Sequence, residues 1–187
     1  ISMALKAEPG SASATFRYYA ETCDKVNGDI APTPPGTLGL VHRESVGVVG
    51  AIVPWNFPLM IGAWKLAPAL AMGNSVVLKP AEVASLSLLR LVELCHEAGL
   101  PDGVLNVVTG EGRAVGEALG LHNDVDVLLF TGSGGVGRRL LEYSARSNLK
   151  RVYLELGGKS ASVVFDDYGN LGKAAKVSAG GIFRDSG

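Results

Sequence analysis

Short hydrophobic runs recur along the middle of the chain, with little polar alternation inside them. They lie at residues 75–78, 104–108, 125–130, 152–156 and 161–165. Strands of this composition are expected where helices cover both faces of a sheet, because a solvent-facing side would require polar residues at alternate positions. The runs are separated by segments of helical periodicity, which is typical of crossover units. The pattern predicts an α/β domain with a doubly wound, mostly parallel sheet.

Two of the intervening segments have clear helix boundaries. Residues 86–98 end at Gly99 with Pro101 beyond, a combination that favours helix termination. Residues 134–147 follow a glycine-rich turn and also have helical spacing. That spacing is expected to direct four side chains toward the sheet: Val136, Leu140, Leu141 and Tyr143.

The first part of the chain predicts a helix followed by a hairpin. Residues 11–26 have helical spacing, and four side chains fall near one face of this amphipathic helix: Phe16, Tyr19, Ala20 and Cys23. After a proline-rich stretch, residues 37–41 and 46–53 have the composition of two strands around a charged turn at 42–44. We therefore expect a β-hairpin that leads into the core.

Composition limits the classes of partner. Of the 187 residues, 47% are hydrophobic and 19% charged, enough for one substantial core. The net charge of -1, with both signs scattered, gives no basic stripe that would attract nucleic acid or an anionic membrane surface. The longest apolar stretch, residues 46–71, contains three prolines and a lysine, so no membrane span is expected. A small-molecule partner is the remaining expectation.

The two cysteines predict neither a metal site nor a disulfide framework. Cys23 and Cys95 lie far apart, without a CxxC pair or neighbouring paired histidines. Both fall in segments of helical spacing, so we expect them to be buried packing residues. The first residues lack the pattern of a secretory signal. A reducing, cytoplasmic location is the expectation that follows.

A glycine-rich turn at residues 130–138 joins a predicted strand to a predicted helix and contains a G-x-G-x-x-G pattern. Glycines allow backbone to approach a pyrophosphate, and the free N–H groups of a helix start favour its charge. A second glycine cluster, residues 109–112, follows the preceding strand. Both turns could instead be tight connections without a ligand, because such turns also serve packing.

Four polar residues at strand ends each have two or more possible roles. Glu155 could bind a ribose, act as a partly buried general base with a pKa raised by desolvation, or form a structural ion pair. Lys79 and Glu82 could bind ribose hydroxyls or form an ordinary surface ion pair. Asn56, between two prolines at residues 54–58, could donate to an oxyanion or serve as a turn former.

Four ordered motifs, at residues 54–58, 73–82, 130–133 and 154–159, resemble those of the aldehyde dehydrogenase superfamily. The resemblance runs from Thr37 through Gly187 and implies a Rossmann-like cofactor domain that binds NAD, with NADP as the alternative. It implies that Asn56 holds the aldehyde oxygen and that Glu155 activates the water for deacylation.

The same resemblance implies further site residues. A cofactor site would be formed by Ile52, Pro54, Trp55, Lys79, Glu82, Gly112, Gly116, Phe130, Gly132, Ser133, Val136 and Leu156. Within it, Lys79 and Glu82 would bind the adenosine ribose, and Leu156 would lie near the nicotinamide. The wall of a substrate tunnel would be formed by Phe57, Ile61 and Trp64. A metal ion is not implied.

The chain departs from the family pattern at its end. In the family, the segment that matches Phe183 to Gly187 is followed by Gln, one variable residue and the nucleophilic Cys, whereas this sequence ends at Gly187. We therefore expect this chain to be a fragment that is inactive alone. The expected division is an N-terminal helix and partial oligomerisation hairpin at 1–45, a cofactor domain at 46–180 and the start of the catalytic domain at 181–187.

Alternatives to this function concern the class of protein and the acceptor. A non-catalytic nucleotide-binding or scaffold protein could keep the fold without the nucleophile. Coenzyme A-dependent acylating members of the family are disfavoured by Glu155, because only hydrolysis needs an activated water. Residues 147–152 and 160–162 most resemble members that oxidise amino- or γ-glutamylamino-aldehydes. The intact enzyme is expected to be a homo-oligomer, a dimer or tetramer.

Overall fold

The computed structural model describes residues 2–183 of the chain. The backbone divides after Leu156 into two compact units, which are described separately. Residues 1 and 184–187 lie outside the described part, and with them Gly187 and most of the segment expected to begin the catalytic domain. The domain boundaries at 45/46 and 180/181 stay predictions.

The first unit begins with helix α1, Ser2–Ala20, followed by the two short strands β1, Asp29–Ala31, and β2, Gly39–Val41. The predicted helix at residues 11–26 is therefore wrong in both bounds. The helix contains Pro9 and begins before it. It ends at Ala20, so Cys23 lies in the following turn and is exposed, contrary to the expectation of a buried residue.

The central sheet has five parallel strands. In chain order they are β3, Val48–Ile52; β4, Ser75–Lys79; β5, Leu105–Val107; β6, Val127–Gly132; and β7, Arg151–Leu156. Their spatial order is β5-β4-β3-β6-β7, so the chain builds outward from β3 in one direction and then returns to build outward in the other. This arrangement confirms the predicted doubly wound α/β fold.

Four helices cover the two faces of the sheet: α2, Pro58–Ala71; α3, Leu86–Glu97; α4, Gly112–Leu121; and α5, Gly134–Ala145. Leu66 of α2 and Leu88 of α3 pack with Ala51 of β3 in one buried cluster. Leu140 of α5 packs with the next residue of β3, Ile52, in a second cluster. Neighbouring positions of one strand thus reach opposite faces. Burying each large aliphatic side chain contributes about 1.5–3 kcal/mol.

Of the four side chains expected to face the sheet from α5, two do so. Leu140 is buried and Tyr143 packs against the second cluster, whereas Val136 and Leu141 are exposed. Val136 lies in the first turn of the helix, at the edge of the sheet rather than over it. The amphipathic spacing predicted the helix correctly but assigned too many side chains to the face that packs on the sheet.

The predicted hairpin between residues 37–41 and 46–53 is wrong. Strand β2 pairs antiparallel with β1, and β3 pairs only with strands of the parallel sheet. The side-chain oxygen of Asn74 accepts hydrogen bonds from the backbone N–H groups of Val46 at 2.8 Å and Gly47 at 3.1 Å. These contacts join the start of β3 to the start of β4, so the segment before β3 is held by β4 and not by β2.

The second unit, described to residue 183, contains helix α6, Leu171–Phe183. The strand predicted at residues 161–165 is absent from the described residues of this unit, where the segment has no strand partner. Three of its side chains, Val163, Val164 and Phe165, are exposed and line a shallow cavity of about 300 Å³. An apolar run resembles a strand in sequence, but pairing depends on a partner that the run itself does not specify.

Residues 2–183 contain neither a helix that could span a membrane nor a cluster of metal-ligating side chains. The helices there are all too short or too polar to cross a membrane. The His, Cys, Asp and Glu side chains of the same residues form no group suited to a metal ion.

Candidate active site

The carboxyl ends of the parallel strands bring most of the predicted site residues to one edge of the sheet. Ile52 at the end of β3 is in register with Lys79 of β4 and with Phe130 of β6. Gly132, at the end of β6, is in register with Leu156 of β7. The chain reverses its direction of winding between β3 and β6, and a crevice at that position is where such sheets bind ligands.

An ionic cluster lies beyond the end of β4. The Lys79 side chain is only 3% exposed, and its Nζ lies 3.7 Å from Oε1 of Glu82. The same Nζ donates to the carbonyl oxygen of Pro80 at 3.0 Å. Oε1 of Glu82 accepts the backbone N–H of Gly112, at the start of α4. Through Glu82, the pair connects the end of β4 with the start of α4, which follows β5.

The contacts of Glu82 favour its charged form. Hydrogen bonds from its own backbone N–H and from that of Gly112, together with the charge of Lys79, lower the pKa of the Glu82 carboxyl. Half of the Glu82 side chain is exposed, so an oxygen remains accessible to a hydroxyl group. A Cβ placed on Gly112 would lie 3.3 Å from Oε1 of Glu82, so a larger residue there would require a small shift of the Glu82 carboxylate.

The turn from β6 into α5 has the features of an anion site. Ser133 is the N-cap of α5, and its hydroxyl accepts from the backbone N–H of Val136 at 3.4 Å. The first backbone N–H groups of the helix have no carbonyl partner inside it, and they lie at the positive end of the helix dipole. At Gly132, a Cβ would lie 2.5 Å from the ring of Phe130, and at Gly137 it would lie 2.9 Å from Leu156. Both glycines thus permit close packing of β6, α5 and β7.

The other predicted cofactor residues at this edge of the sheet divide into buried and exposed ones. Ile52, Phe130 and Gly116 are buried beneath the strand ends. Pro54 is half-buried, and a Cβ added to Gly116 would touch Ile52 at 4.0 Å. Trp55 is 67% exposed, with Val136 and Leu156 also accessible at the same edge. The buried residues can shape the site from below, whereas the exposed ones are free to contact a ligand.

Asn56 lies in the turn between β3 and α2 and is exposed. Before this turn, the backbone N–H of Val53 donates to the carbonyl of Lys79 at 3.1 Å. After it, Phe57 is the N-cap of α2 without a side-chain cap, and Pro58 is the first helical residue. The amide of Asn56 is therefore presented to solvent by a short segment that is anchored at both ends.

The three predicted tunnel residues lie in different environments. Phe57 is half-buried against the first core cluster, and Ile61 is a buried member of that cluster. Trp64 is 51% exposed and lines a groove of about 490 Å³ between α1 and α2. Tyr18 and Tyr19 of α1 line the same groove, with their rings at 88° in an edge-to-face contact. Of the three, Trp64 is the one that a ligand in this groove would reach.

Glu155, near the end of β7, is exposed, so of the three interpretations left open for it, the partly buried general base does not agree with the structure. Sequence reasoning missed a neighbouring group, Lys65 of α2. Burial lowers the pKa of Lys65, while the charge of Glu155 acts in the opposite direction. Lys65 and Tyr153 also line one cleft of about 790 Å³. The available signal was a single lysine in an otherwise apolar helix.

The cysteines lie at the other edge of the sheet. Helices α2 and α3 start near the carboxyl ends of the strands and run back across the sheet. The thiol of Cys23 lies 3.8 Å from the carbonyl oxygen of Ala71, the last residue of α2, and Cys95 lies in the last turn of α3. Burial raises the pKa of the Cys95 thiol, which disfavours its nucleophilic thiolate form.

Comparison with known proteins gives one consistent family. The sequence profile of the aldehyde dehydrogenase family matches residues 1–187. The chain is 56% identical over 179 residues to the NADP/NAD-dependent aldehyde dehydrogenase PuuC of Escherichia coli, covering 96% of this chain and 36% of that protein. It is 51% identical over 173 residues to aminoacetaldehyde dehydrogenase of Pseudomonas aeruginosa, covering 92% of this chain and 35% of the relative.

A solved structure gives the same result for the fold. The P. syringae AldA indole-3-acetaldehyde dehydrogenase, crystallised as a mutant with NAD+ and IAA, superposes with a TM-score of 0.92 at 50% identity. The superposition covers 97% of this chain and 37% of that one. The chain thus spans a little over a third of the length of these relatives, and the resemblance found in its four motifs is confirmed.

Proposed function

The chain belongs to the aldehyde dehydrogenase family, and from that membership we propose that it forms the cofactor-binding part of an enzyme that oxidises an aldehyde to a carboxylic acid with NAD+. The observation that carries this proposal is the meeting of two sites at one sheet edge. The cluster of Lys79, Glu82 and Gly112 presents an acceptor for hydroxyl groups. The start of α5 at Ser133 presents free amides suited to a diphosphate.

These residues fit a nicotinamide dinucleotide in charge and in shape. Glu82, held ionised by its contacts, is suited to accept from ribose hydroxyls, and buried Lys79 keeps its position. Gly132 and Gly137 bring backbone and helix close together where the phosphates would pass. When bound, NAD+ supplies the acceptor for the hydride of the aldehyde. The AldA structure contains NAD+, and the name of PuuC includes both NADP and NAD.

Two residues of the chain would act on the substrate. The side-chain amide of Asn56 donates a hydrogen bond to the aldehyde oxygen and stabilises the negative charge that develops there. The exposed carboxylate of Glu155 takes a proton from the water that releases the acid. Because Cys23 and Cys95 lie at the opposite edge, the nucleophile would come from a part of the enzyme outside this chain.

The groove beside Trp64 supports the proposal of amino-aldehyde substrates. Its aromatic lining, Trp64 with Tyr18 and Tyr19, suits a cationic or apolar substrate end, since the faces of aromatic rings attract cations. The similarity to an aminoacetaldehyde dehydrogenase agrees with this class.

Two strands support the proposal that the intact enzyme is a homo-oligomer. The β1-β2 ribbon carries exposed apolar side chains, Ile30 at 74% and Leu40 at 69%. A second copy of the chain could cover them.

The preference between the two cofactors tests the placement of Glu82. If its carboxylate faces the ribose 2′ position, it repels the 2′-phosphate of NADP, and we expect NAD to bind at least about tenfold more tightly. Glu82→Gln should narrow this ratio by raising NADP affinity, because the amide keeps the shape and removes the charge. Calorimetric titration of the unmodified protein and of Glu82→Gln with each cofactor measures this ratio.

The matched control is Glu142→Gln, which removes an exposed charge from α5 and should leave the ratio unchanged. Equal affinities for the two cofactors in the unmodified protein would show that Glu82 does not face the 2′ position.

A further inference from the structure

A buried carboxylate in α1 caps a helix that lies far from it in sequence. Glu8 is only 7% exposed. Its Oε2 atom accepts hydrogen bonds from the backbone N–H of Leu59 at 2.8 Å and of Met60 at 3.3 Å, 51 and 52 residues along the chain. These are the second and third residues of α2, where amides have no carbonyl partner within the helix.

The sequence around the start of α2 does not supply this cap. Phe57, at the N-cap position, has no side-chain oxygen, and its side chain makes no capping bond. Pro58 fixes the backbone angle of the first helical residue but has no N–H to donate. Glu8 therefore performs the role that Ser, Asp or Thr usually has at the N-cap, and its negative charge is favoured at the positive end of the helix dipole.

This contact has a consequence for the preceding turn. Residues 54–57 connect two fixed points, of which the first is the end of β3, where Val53 donates to Lys79. The second is the start of α2, which Glu8 holds. Asn56 lies between them and is itself exposed, so the direction of its amide depends on where the two ends of this short segment are held.

We propose that Glu8 is a positioning residue for Asn56. It contacts neither substrate nor cofactor, and acts by holding the first turn of α2 and thereby the end of the short backbone segment that carries Asn56. The proposal rests on the proposed function, because it assigns to Glu8 an effect on the step in which Asn56 takes part. Errors of about 1 Å in such a donor can reduce catalysis roughly a hundredfold.

The test uses a pair of variants in the full-length enzyme that contains this chain. Glu8→Met keeps an unbranched side chain of similar volume in the buried site and removes the acceptor, while Glu8→Gln keeps an acceptor oxygen. We expect Glu8→Met to lower kcat/KM for the aldehyde roughly tenfold, mainly in kcat, and to leave the Kd for NAD within about twofold. Glu8→Gln should restore most of the activity, and Glu21→Met, at an exposed position after α1, is the matched control.

Amide hydrogen exchange supplies a readout that does not depend on activity. Exchange at Leu59 and Met60 should accelerate in Glu8→Met and stay slow in Glu8→Gln, with the rest of α2 unchanged. Unchanged exchange at both amides in Glu8→Met would overturn the proposal, because the cap would then not hold the helix start. This measurement also decides the question if Glu8→Met proves too unstable for kinetics at the assay temperature, since it can be made on the cooled protein.

A double variant separates the failure of this proposal from that of the proposed function. If Glu8 acts through Asn56, Glu8→Met should cost less than about twofold when added to Asn56→Ala, because the group it positions is already gone. A full tenfold loss in that background would overturn the positioning role and leave the proposed function intact. Full activity of Asn56→Ala alone would overturn the role of Asn56 and with it that of Glu8, whereas an unmodified enzyme that neither binds NAD nor oxidises aldehydes would overturn the proposed function.

Discussion

Asn56→Ala is expected to lower kcat/KM for the aldehyde about 10²–10³-fold in the full-length enzyme, the usual effect of removing one oxyanion donor. Asn56 is exposed in the turn before α2, so its truncation leaves no cavity and should change the free energy of unfolding little. NAD affinity should stay within about twofold, because the cluster of Lys79 and Glu82 and the start of α5, which carry the main proposed cofactor contacts, follow other strands. Steady-state kinetics measure kcat/KM for the aldehyde, and calorimetric titration measures the affinity for NAD.

Two controls define the cause of that loss. Asn56→Asp keeps the shape but replaces the N–H donor with an acceptor, so it should be as damaging as alanine. Asn123→Ala removes an exposed amide from the turn after α4, at the opposite edge of the sheet, and should have no effect. A loss below about twofold in Asn56→Ala would show that the developing charge is stabilised by another group.

Glu155→Gln is expected to lower kcat by about 10²–10⁴-fold, the range of a general base. The glutamine keeps the volume and the hydrogen-bonding shape of the side chain but cannot accept a proton from water. Hydride transfer precedes the step that needs this base, so a first turnover should still release about one NADH per site. Stopped-flow absorbance should therefore show a burst followed by a very slow phase.

The kinetics of Glu155→Gln also distinguish the two acyl acceptors considered for this family, water and coenzyme A. If Glu155→Gln retains full kcat and the unmodified enzyme forms a thioester when coenzyme A is added, the acylating reaction replaces hydrolysis. Glu142→Gln, at an exposed position of α5, is the control for removing one carboxylate. Loss of the burst itself would place Glu155 before hydride transfer and contradict the assigned role.

The parallel sheet could be predicted from sequence because its strands are marked locally. Apolar runs such as residues 75–78, bounded by glycine and proline, carry the strand signal within themselves. The pairing of β2 could not be predicted this way, because it depends on β1 and on an asparagine, Asn74, that holds the start of β3 instead. The cap of α2 by Glu8 was hidden for the same reason, since its partners lie about 50 residues apart.

The motif residues meet at one edge of the sheet, as the parallel topology requires, but their burial could not be predicted from the motifs. At Gly132 a Cβ would lie 2.5 Å from the ring of Phe130, so the glycine reflects local packing, whereas at Gly112 the nearest atom is the end of the Glu82 side chain at 3.3 Å. One of the alternatives for Glu155 was a partly buried carboxylate, because its sequence neighbours are apolar. Within the described residues β7 is an edge strand of the sheet, and alternate side chains on it, Tyr153 and Glu155, are exposed. Burial depends on what covers a strand, and that is not encoded in the strand itself.

Amide hydrogen exchange of the full-length enzyme with and without NAD+ tests the central claim most directly. We expect NAD+ to slow exchange in two segments that are remote in sequence, residues 110–116 at the start of α4 and residues 132–137 at the start of α5. Both lie at the carboxyl edge of the sheet, and α6 should be unaffected. Failure to bind NAD+, or binding that protects neither segment, would contradict the assignment of this edge as the cofactor site.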